Sequence, residues 1–238
     1  MSGGSNRRFA VRGVIIDLDG TLLDTAPDLV EAANRMRVEL GMPPLPFATV
    51  VSFVGKGAER LVHRVLTGSL DGHAPRAEFE PAYARFLRLY REENGRQTRE
   101  FPGVRPGLDA MRAMGLRLAC VTNKPREFTE PLLECCDLAR YFALVVSGDT
   151  LPQKKPDPAP LLHVSRAFGF PPAQMLAIGD SLNDALAARA AGMSVLSVPY
   201  GYNEGADVHG LDVDGIVPTL LAASLLIDAT WPQNLQFR

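Results

Sequence analysis

Val14-Ile15-Ile16-Asp17-Leu18-Asp19-Gly20-Thr21 is the stretch on which the reading of this chain turns. Three branched apolar residues in a row suit a strand buried on both faces. The run stops abruptly at an aspartate. Because strand side chains repeat every second residue, Asp17 and Asp19 can point into the same crevice, and Gly20 then allows a sharp turn. Two carboxylates this close can divide labour, one ionised as a nucleophile and the other kept protonated by its neighbour's charge to act as an acid. Ordinary strand-end and turn aspartates are the alternative, so the rest of the chain has to decide.

Outward from this stretch, the same pattern recurs. Short apolar runs at 118–121, 143–146 and 175–178 end at Thr122, Ser147 and Gly179-Asp180, and a fifth follows at 194–198. Helical periodicity fills the gaps at 107–114, 126–138, 159–168 and 184–191. Such alternation predicts an α/β fold, a Rossmann-like parallel sheet wrapped by helices. Ligands of these sheets bind outside the carboxyl ends of the strands, where Asp17, Thr122 and Asp180 would converge. One interval breaks the rhythm: 25–100 shows only helical patterns, at 28–40, 46–66 and 76–93. About 75 residues is too long for a connection. The expected organisation is therefore a core of 1–24 and 101–238 with an inserted helical cap subdomain at 25–100, hinged near Pro27 and Pro102-Gly103. The apolar stretch 216–227 reads as a buried helix, and 1–6 and 230–238 as mobile tails.

Composition narrows the function. The 238 residues are 46% hydrophobic and 22% charged, with 25 Lys plus Arg against 27 Asp plus Glu, a net charge of −2. No basic field exists to attract nucleic acid. No apolar run approaches the roughly 18 residues of a membrane span, and Arg12 interrupts the one segment that faintly imitates a signal peptide. Cys120, Cys135 and Cys136 lack paired metal spacing and read as reduced thiols. A cytoplasmic protein without nucleic-acid or membrane partners is expected, a monomer or homodimer.

The polar strand ends carry the chemistry. Gly179-Asp180-Ser181-Leu182-Asn183-Asp184 adds two carboxylates, readable also as a helix cap. If all four aspartates share a cleft, their charge demands compensation, and oxygen-only donors favour Mg²⁺ over zinc. Lys154-Lys155-Pro156 offers a lysine on a stiff backbone, or two solvated lysines. Thr122-Asn123 offers a hydroxyl and an amide that suit phosphoryl oxygens or a helix cap.

Taken in order, Asp-x-Asp-Gly-Thr, Thr-Asn, Lys-Pro and Gly-Asp-x-x-x-Asp resemble the motifs of the haloacid dehalogenase superfamily of phosphohydrolases, and the match spans nearly the whole chain. The 25–100 insertion resembles its type 1 cap. GVIIDLDGTLLDTAPDL, VTNKP, SGDTLPQKKPDPAPLL and GDSLNDALAARAAGM are similar to the bacterial phosphoglycolate phosphatases within it. The resemblance implies a Mg²⁺-dependent phosphomonoesterase acting on a small phosphorylated metabolite. It makes Asp17 the nucleophile and Asp19 the acid and base, with Thr122 and Lys155 on the phosphoryl oxygens and Asn123 beside them. It gives the metal to Asp17, the Asp19 backbone carbonyl, Asp180 and Asp184. Four carboxylates, a divalent cation and Lys155 leave one negative charge, which protonation of Asp19 removes.

Specificity has to come from the insertion, since the core recognises only the phosphoryl group. Gly55-Lys56-Gly57, with Arg60 one helical turn on, is the candidate cationic patch for a substrate carboxylate. A sugar-phosphate phosphatase, for N-acetylmuramic acid 6-phosphate for example, and a phosphomutase are the neighbouring alternatives. A receiver-type signalling module phosphorylated on aspartate has no use for the insertion or the late Gly-Asp-x-x-x-Asp.

Overall fold

The apolar run before Asp17 becomes the central strand of the molecule. A computed structural model describes residues 8–229; the tails 1–6 and 230–238, expected to be mobile, lie outside the described residues. The first half of the described chain runs β1 (Phe9–Ala10), β2 (Gly13–Ile16), β3 (Leu23–Asp24), α1 (Ala26–Glu39), α2 (Phe47–Ser52), α3 (Ala58–Thr67), α4 (Arg76–Glu93), β4 (Arg99–Glu100) and α5 (Val104–Ala113). There follow β5 (Arg117–Val121), α6 (Arg126–Cys135), β6 (Leu144–Val146), α7 (Ala159–Phe168), β7 (Met175–Gly179), α8 (Leu182–Ala190), β8 (Ser194–Ser197), β9 (Gly215–Ile216), α9 (Leu220–Ser224) and β10 (Ile227–Asp228).

Six strands form one sheet in the order β6-β5-β2-β7-β8-β9, every neighbouring pair parallel. Each of its inner strands is buried on both faces, which is why the runs read as continuously apolar. The period of two survives in where the side chains go. Val14, Ile16, Leu118, Cys120, Leu176 and Ile178 pack with Leu108 and Met111 of α5 on one face. Ile15, Ala119, Val121, Met175 and Ala177 pack with Val164 and Phe168 of α7 and Ala187 and Ala188 of α8 on the other. Register sets Ile16 beside both Cys120 and Ile178. The chain therefore leaves β2, β5 and β7 at one level, and the segments after them share one crevice.

Helices α1 to α4 build a separate apolar cluster from Leu29, Met36, Phe53, Leu61, Phe86 and Leu89, joined from the sheet side by Phe128 of α6. The interval is not strand-free, as its helical patterning suggested: Arg99–Glu100 pairs antiparallel with Leu23–Asp24, so the chain enters and leaves the helices through a two-stranded ribbon. Two charged residues give no alternation to read. The single pattern at 46–66 divides into α2 and α3, because Gly55 (φ 124°) and Gly57 (φ 84°) adopt conformations no helix admits. The stretch 216–227 is likewise not one helix. Pro218 ends the extended segment, Thr219 Oγ1 accepts from the Ala222 amide at 3.1 Å to start the short α9, and β10 then pairs parallel with β1. Among the described residues no helix is long and apolar enough to cross a membrane.

Candidate active site

Asp17 follows the last residue of β2, and its amide still donates to Ile178 of β7 at 3.0 Å, so the nucleophile candidate is fixed to the sheet. Gly20 turns the chain at φ 87°; a Cβ there would stand 2.5 Å from Asp180 Oδ2, so this glycine serves the close approach as well as the turn. Asp17, Asp180 and Asp184 come together, each with a carboxylate oxygen within 4.8 Å of the others'. The Lys155 ammonium bridges two of them, 2.8 Å from Asp17 Oδ1 and 2.6 Å from Asp184 Oδ1, and donates to the Val121 carbonyl at 2.8 Å. It is no solvated surface lysine, being 5% exposed. Asp180 accepts from Thr21 Oγ1 at 2.9 Å and from the Tyr202 amide at 2.7 Å. Asp184 is both in the crevice and in the helix cap: one oxygen meets Lys155, and the other accepts from the Ser181 amide at 3.2 Å, in the capping box that opens α8, and from Ser181 Oγ at 2.6 Å.

Asp19 faces differently. Its Oδ1 accepts from Thr25 Oγ1 at 2.7 Å and from the Lys124 ammonium at 3.0 Å, and its carboxylate is outside the three-aspartate cluster. Lys124 is 4% exposed, donates to the Tyr90 hydroxyl, and stands 4.8 Å from the centre of that ring. Sequence reasoning passed over Lys124, although Lys124-Pro125 repeats the Lys-Pro pattern that drew attention to Lys155-Pro156. It also enters the charge ledger: four ionised carboxylates against two buried ammonium groups leave two negative charges, and a proton on Asp19 would leave one.

Electrostatics point the same way. Burial pushes the Asp17 carboxyl well above the ordinary carboxylate range; Lys155 opposes this, and Asp184 and Asp180 push it further. Asp180 is raised to about 7, by burial and then by Asp184, against the hydrogen bonds from Tyr202 and Thr21. Burial works against the charge on Lys155, but Asp17 and Asp184 outweigh it and lift the ammonium above its usual value. Carboxylates that repel one another beyond what one lysine compensates, with oxygen donors only, fit a hard divalent cation.

A cavity of about 50 Å³ opens on these groups, lined by Asp17, Asp19, Thr122, Asn123, Lys124, Lys155, Ser181 and Asn183, and by Leu29, Val54, Gly55, Gly57, Ala58, Leu61 and Tyr90 from the helical block. Asn123 is there, but both of its amide hydrogens are taken, by Gly55 O at 3.0 Å and Lys155 O at 2.9 Å. It ties the glycine loop to the lysine segment rather than offering its amide N–H to a ligand. Lys56 and Arg60 are not brought to the cavity. Lys56 pairs with Glu204 at 3.3 Å, and Arg60 donates to Leu70 O at 2.7 Å and Gly72 O at 2.9 Å; both line a second cavity, with His63, His73 and Lys154, that shares Lys155 with the first. Only the two glycines of Gly55-Lys56-Gly57 reach the site. A Cβ at Gly57 would stand 3.1 Å from Asn123 O, whereas one at Gly55 would meet nothing nearer than Asn183 Nδ2 at 3.6 Å, and the lysine between them pairs with Glu204.

Carboxylates from two strand ends and a buried lysine from a third segment meet in one crevice, and the family pattern of haloacid dehalogenase-like hydrolases matches residues 14–198: the chain belongs to that family. Among its relatives, the phosphoglycolate phosphatase of Nitrosospira multiformis is 57% identical over 91% of this chain and 96% of its own. That of Thiobacillus denitrificans is 52% identical with the same coverage. The crystal structure of a predicted phosphoglycolate phosphatase from Haemophilus somnus 129pt superposes with a TM-score of 0.84 at 31% identity, covering 92% of this chain and 97% of that one.

Proposed function

We propose that the chain is a Mg²⁺-dependent phosphatase that hydrolyses 2-phosphoglycolate to glycolate and phosphate. The observation that carries the reading is that Asp17 and Asp19 line one small cavity from opposite electrostatic settings, Asp17 against Lys155 and the acidic cluster, Asp19 against Lys124 and Thr25. The cavity's volume, about 50 Å³, lies far below the roughly 300 to 1,000 Å³ of pockets for drug-sized ligands and favours a short-chain ester over a sugar phosphate. High identity to proteins named phosphoglycolate phosphatase supports the choice of substrate.

In this mechanism an Asp17 oxygen attacks phosphorus, the bond to the ester oxygen breaks, and Asp19 gives that oxygen its proton. Asp17 then carries the phosphoryl group. Water attacks the phosphorus, Asp19 takes its proton, and the Asp17–phosphorus bond breaks to release phosphate. Lys155 and Thr122 hold the phosphoryl oxygens, and Lys155 offsets the repulsion between Asp17 and the incoming anion. Asp17, Asp180, Asp184 and the Asp19 carbonyl would hold Mg²⁺, which supplies charge neutralisation at the phosphoryl group. Residues 25–100 act as a cap over a core of 1–24 and 101–238, a reading supported by their separate apolar cluster and by Leu29, Val54 and Leu61 roofing the cavity. The enzyme works in the cytoplasm on a small phosphorylated metabolite.

The test is a phosphate-release panel with and without Mg²⁺, comparing kcat/KM for 2-phosphoglycolate, N-acetylmuramic acid 6-phosphate, hexose phosphates and nucleotides. 2-Phosphoglycolate should lead by at least about tenfold, a difference of roughly 1.4 kcal/mol in transition-state binding. A sugar phosphate that matches or exceeds it overturns the substrate assignment.

A further inference from the structure

Phosphoryl transfer as described leaves one buried charge with no task on the substrate. Lys124 lies on the cavity wall, 4% exposed, and its partners are Asp19 Oδ1 at 3.0 Å and the Tyr90 hydroxyl. Facing it from the helical block are Leu29, Val54, Ala58 and Leu61, none of which can accept a hydrogen bond through its side chain. Tyr90 accepts from Lys124, so its own O–H remains to be donated, and no acceptor for it is found among the described residues. The ring is held rigidly between Phe86 and Phe128, at centroid distances of 5.5 and 4.7 Å. Burial, with Asp19 and Asp28 adding to it, raises the phenol well above its usual value and keeps it a donor.

An ammonium beside a phenolic O–H, both buried and both at the edge of an otherwise apolar roof, makes a receptor for a carboxylate. We propose that Lys124 and Tyr90 read the carboxylate of the substrate and so set the specificity of the cavity. The inference rests on the reading of the protein as a 2-phosphoglycolate phosphatase. Its geometry follows from Asp19, which must stand within hydrogen-bond reach of the leaving oxygen. The carboxylate of 2-phosphoglycolate begins one methylene beyond that oxygen, and Lys124 is the cation one hydrogen bond beyond Asp19. Tyr90 belongs to α4, so a bound carboxylate also bridges the helical block to the sheet. The carboxylate receptor is thus on the strand-end side of the cavity and on α4, away from Lys56 and Arg60.

The experiment measures kcat/KM for 2-phosphoglycolate and for ethyl phosphate, which replaces the carboxylate by a methyl group, on the same preparation of each protein. The fraction of folded enzyme cancels from the ratio. Wild type should favour 2-phosphoglycolate, Lys124→Met should cut the ratio about 30-fold or more, as for a buried ion pair that has lost one partner, and Tyr90→Phe should cut it about tenfold while preserving the ring packing. If Lys124 served only to position Asp19, both substrates would suffer alike and the ratio would stand. Ratios within twofold of wild type in both variants overturn the proposal and leave the phosphatase reading intact; should Lys124→Met not fold, the Tyr90→Phe ratio alone decides. Wild type that prefers sugar phosphates in the substrate panel overturns the underlying reading, and this proposal with it.

Discussion

Replacing Thr21 by valine should weaken Mg²⁺ binding about 10- to 100-fold while leaving the fold in place. Thr21 is wholly buried, and its hydroxyl is one of two donors on the Asp180 carboxylate, at 2.9 Å, the other being the Tyr202 amide at 2.7 Å. Valine keeps the shape and removes the donor. A hydrogen bond to a charged group is worth about 1.5 to 3 kcal/mol, and at about 1.4 kcal/mol per decade this corresponds to roughly one to two powers of ten in affinity, in line with the effect of lost outer partners at metal sites. Part of the loss operates through protons, because the Thr21 bond holds the Asp180 carboxyl down against burial and Asp184. The penalty should therefore be larger at pH 6 than at pH 9, where the carboxylate is ionised in both proteins. Titration calorimetry with Mg²⁺ at the two pH values measures it. A Kd within twofold of wild type at both would refute the view that Asp180 is a cation ligand tuned by Thr21.

Further outcomes follow from the same geometry. Since Asp180 sits at about 7, metal-free protein should bind Mg²⁺ with release of a proton and with apparent affinity that falls up to tenfold per unit below pH 7. The stability sign agrees: an ordinary Asp ionises near 3.9, so between about pH 4 and 7 the folded metal-free state holds a proton the unfolded chain has lost, and this group's contribution falls as pH rises through that window. Thermal melts with and without Mg²⁺ should diverge most above pH 7. Asp19→Asn should lose roughly 10² to 10⁴ in kcat through missing acid–base catalysis, with near-normal melting temperature. Lys56→Ala should change kcat/KM for 2-phosphoglycolate less than about threefold, because that lysine is 42% exposed on its side chain and paired with Glu204 outside the cavity; a loss above 30-fold would return it to the site.

Much of the site was legible because each of its strands is buried on both faces and stops at a polar residue. Parallel register then does the rest, carrying Asp17, Thr122 and Asp180 to one level without any further signal in the chain. What stayed hidden depends on partners far away in sequence. Lys56 read as a cavity cation because its flanking glycines permit close approach, yet Glu204, a residue 140 positions beyond Arg64, draws both Lys56 and Arg64 to itself. Lys124 was inconspicuous for the opposite reason, since its neighbours in sequence say nothing of Asp19, 105 residues earlier, or of Tyr90 on α4. The ribbon of Leu23–Asp24 with Arg99–Glu100 was too short to show a period. Asp184 shows that the two readings of an acidic residue at a helix start need not exclude each other, since separate oxygens of one carboxylate serve Lys155 and the cap.

The central claim is that Asp17 receives the phosphoryl group, and trapping that bond tests it most directly. Enzyme mixed with ³²P-labelled 2-phosphoglycolate and Mg²⁺, quenched in acid within the first turnovers and digested, should carry label on the peptide containing Asp17, and Asp17→Asn should carry none and release no phosphate. Label on another residue, or phosphate release by Asp17→Asn at the wild-type rate, would contradict the account.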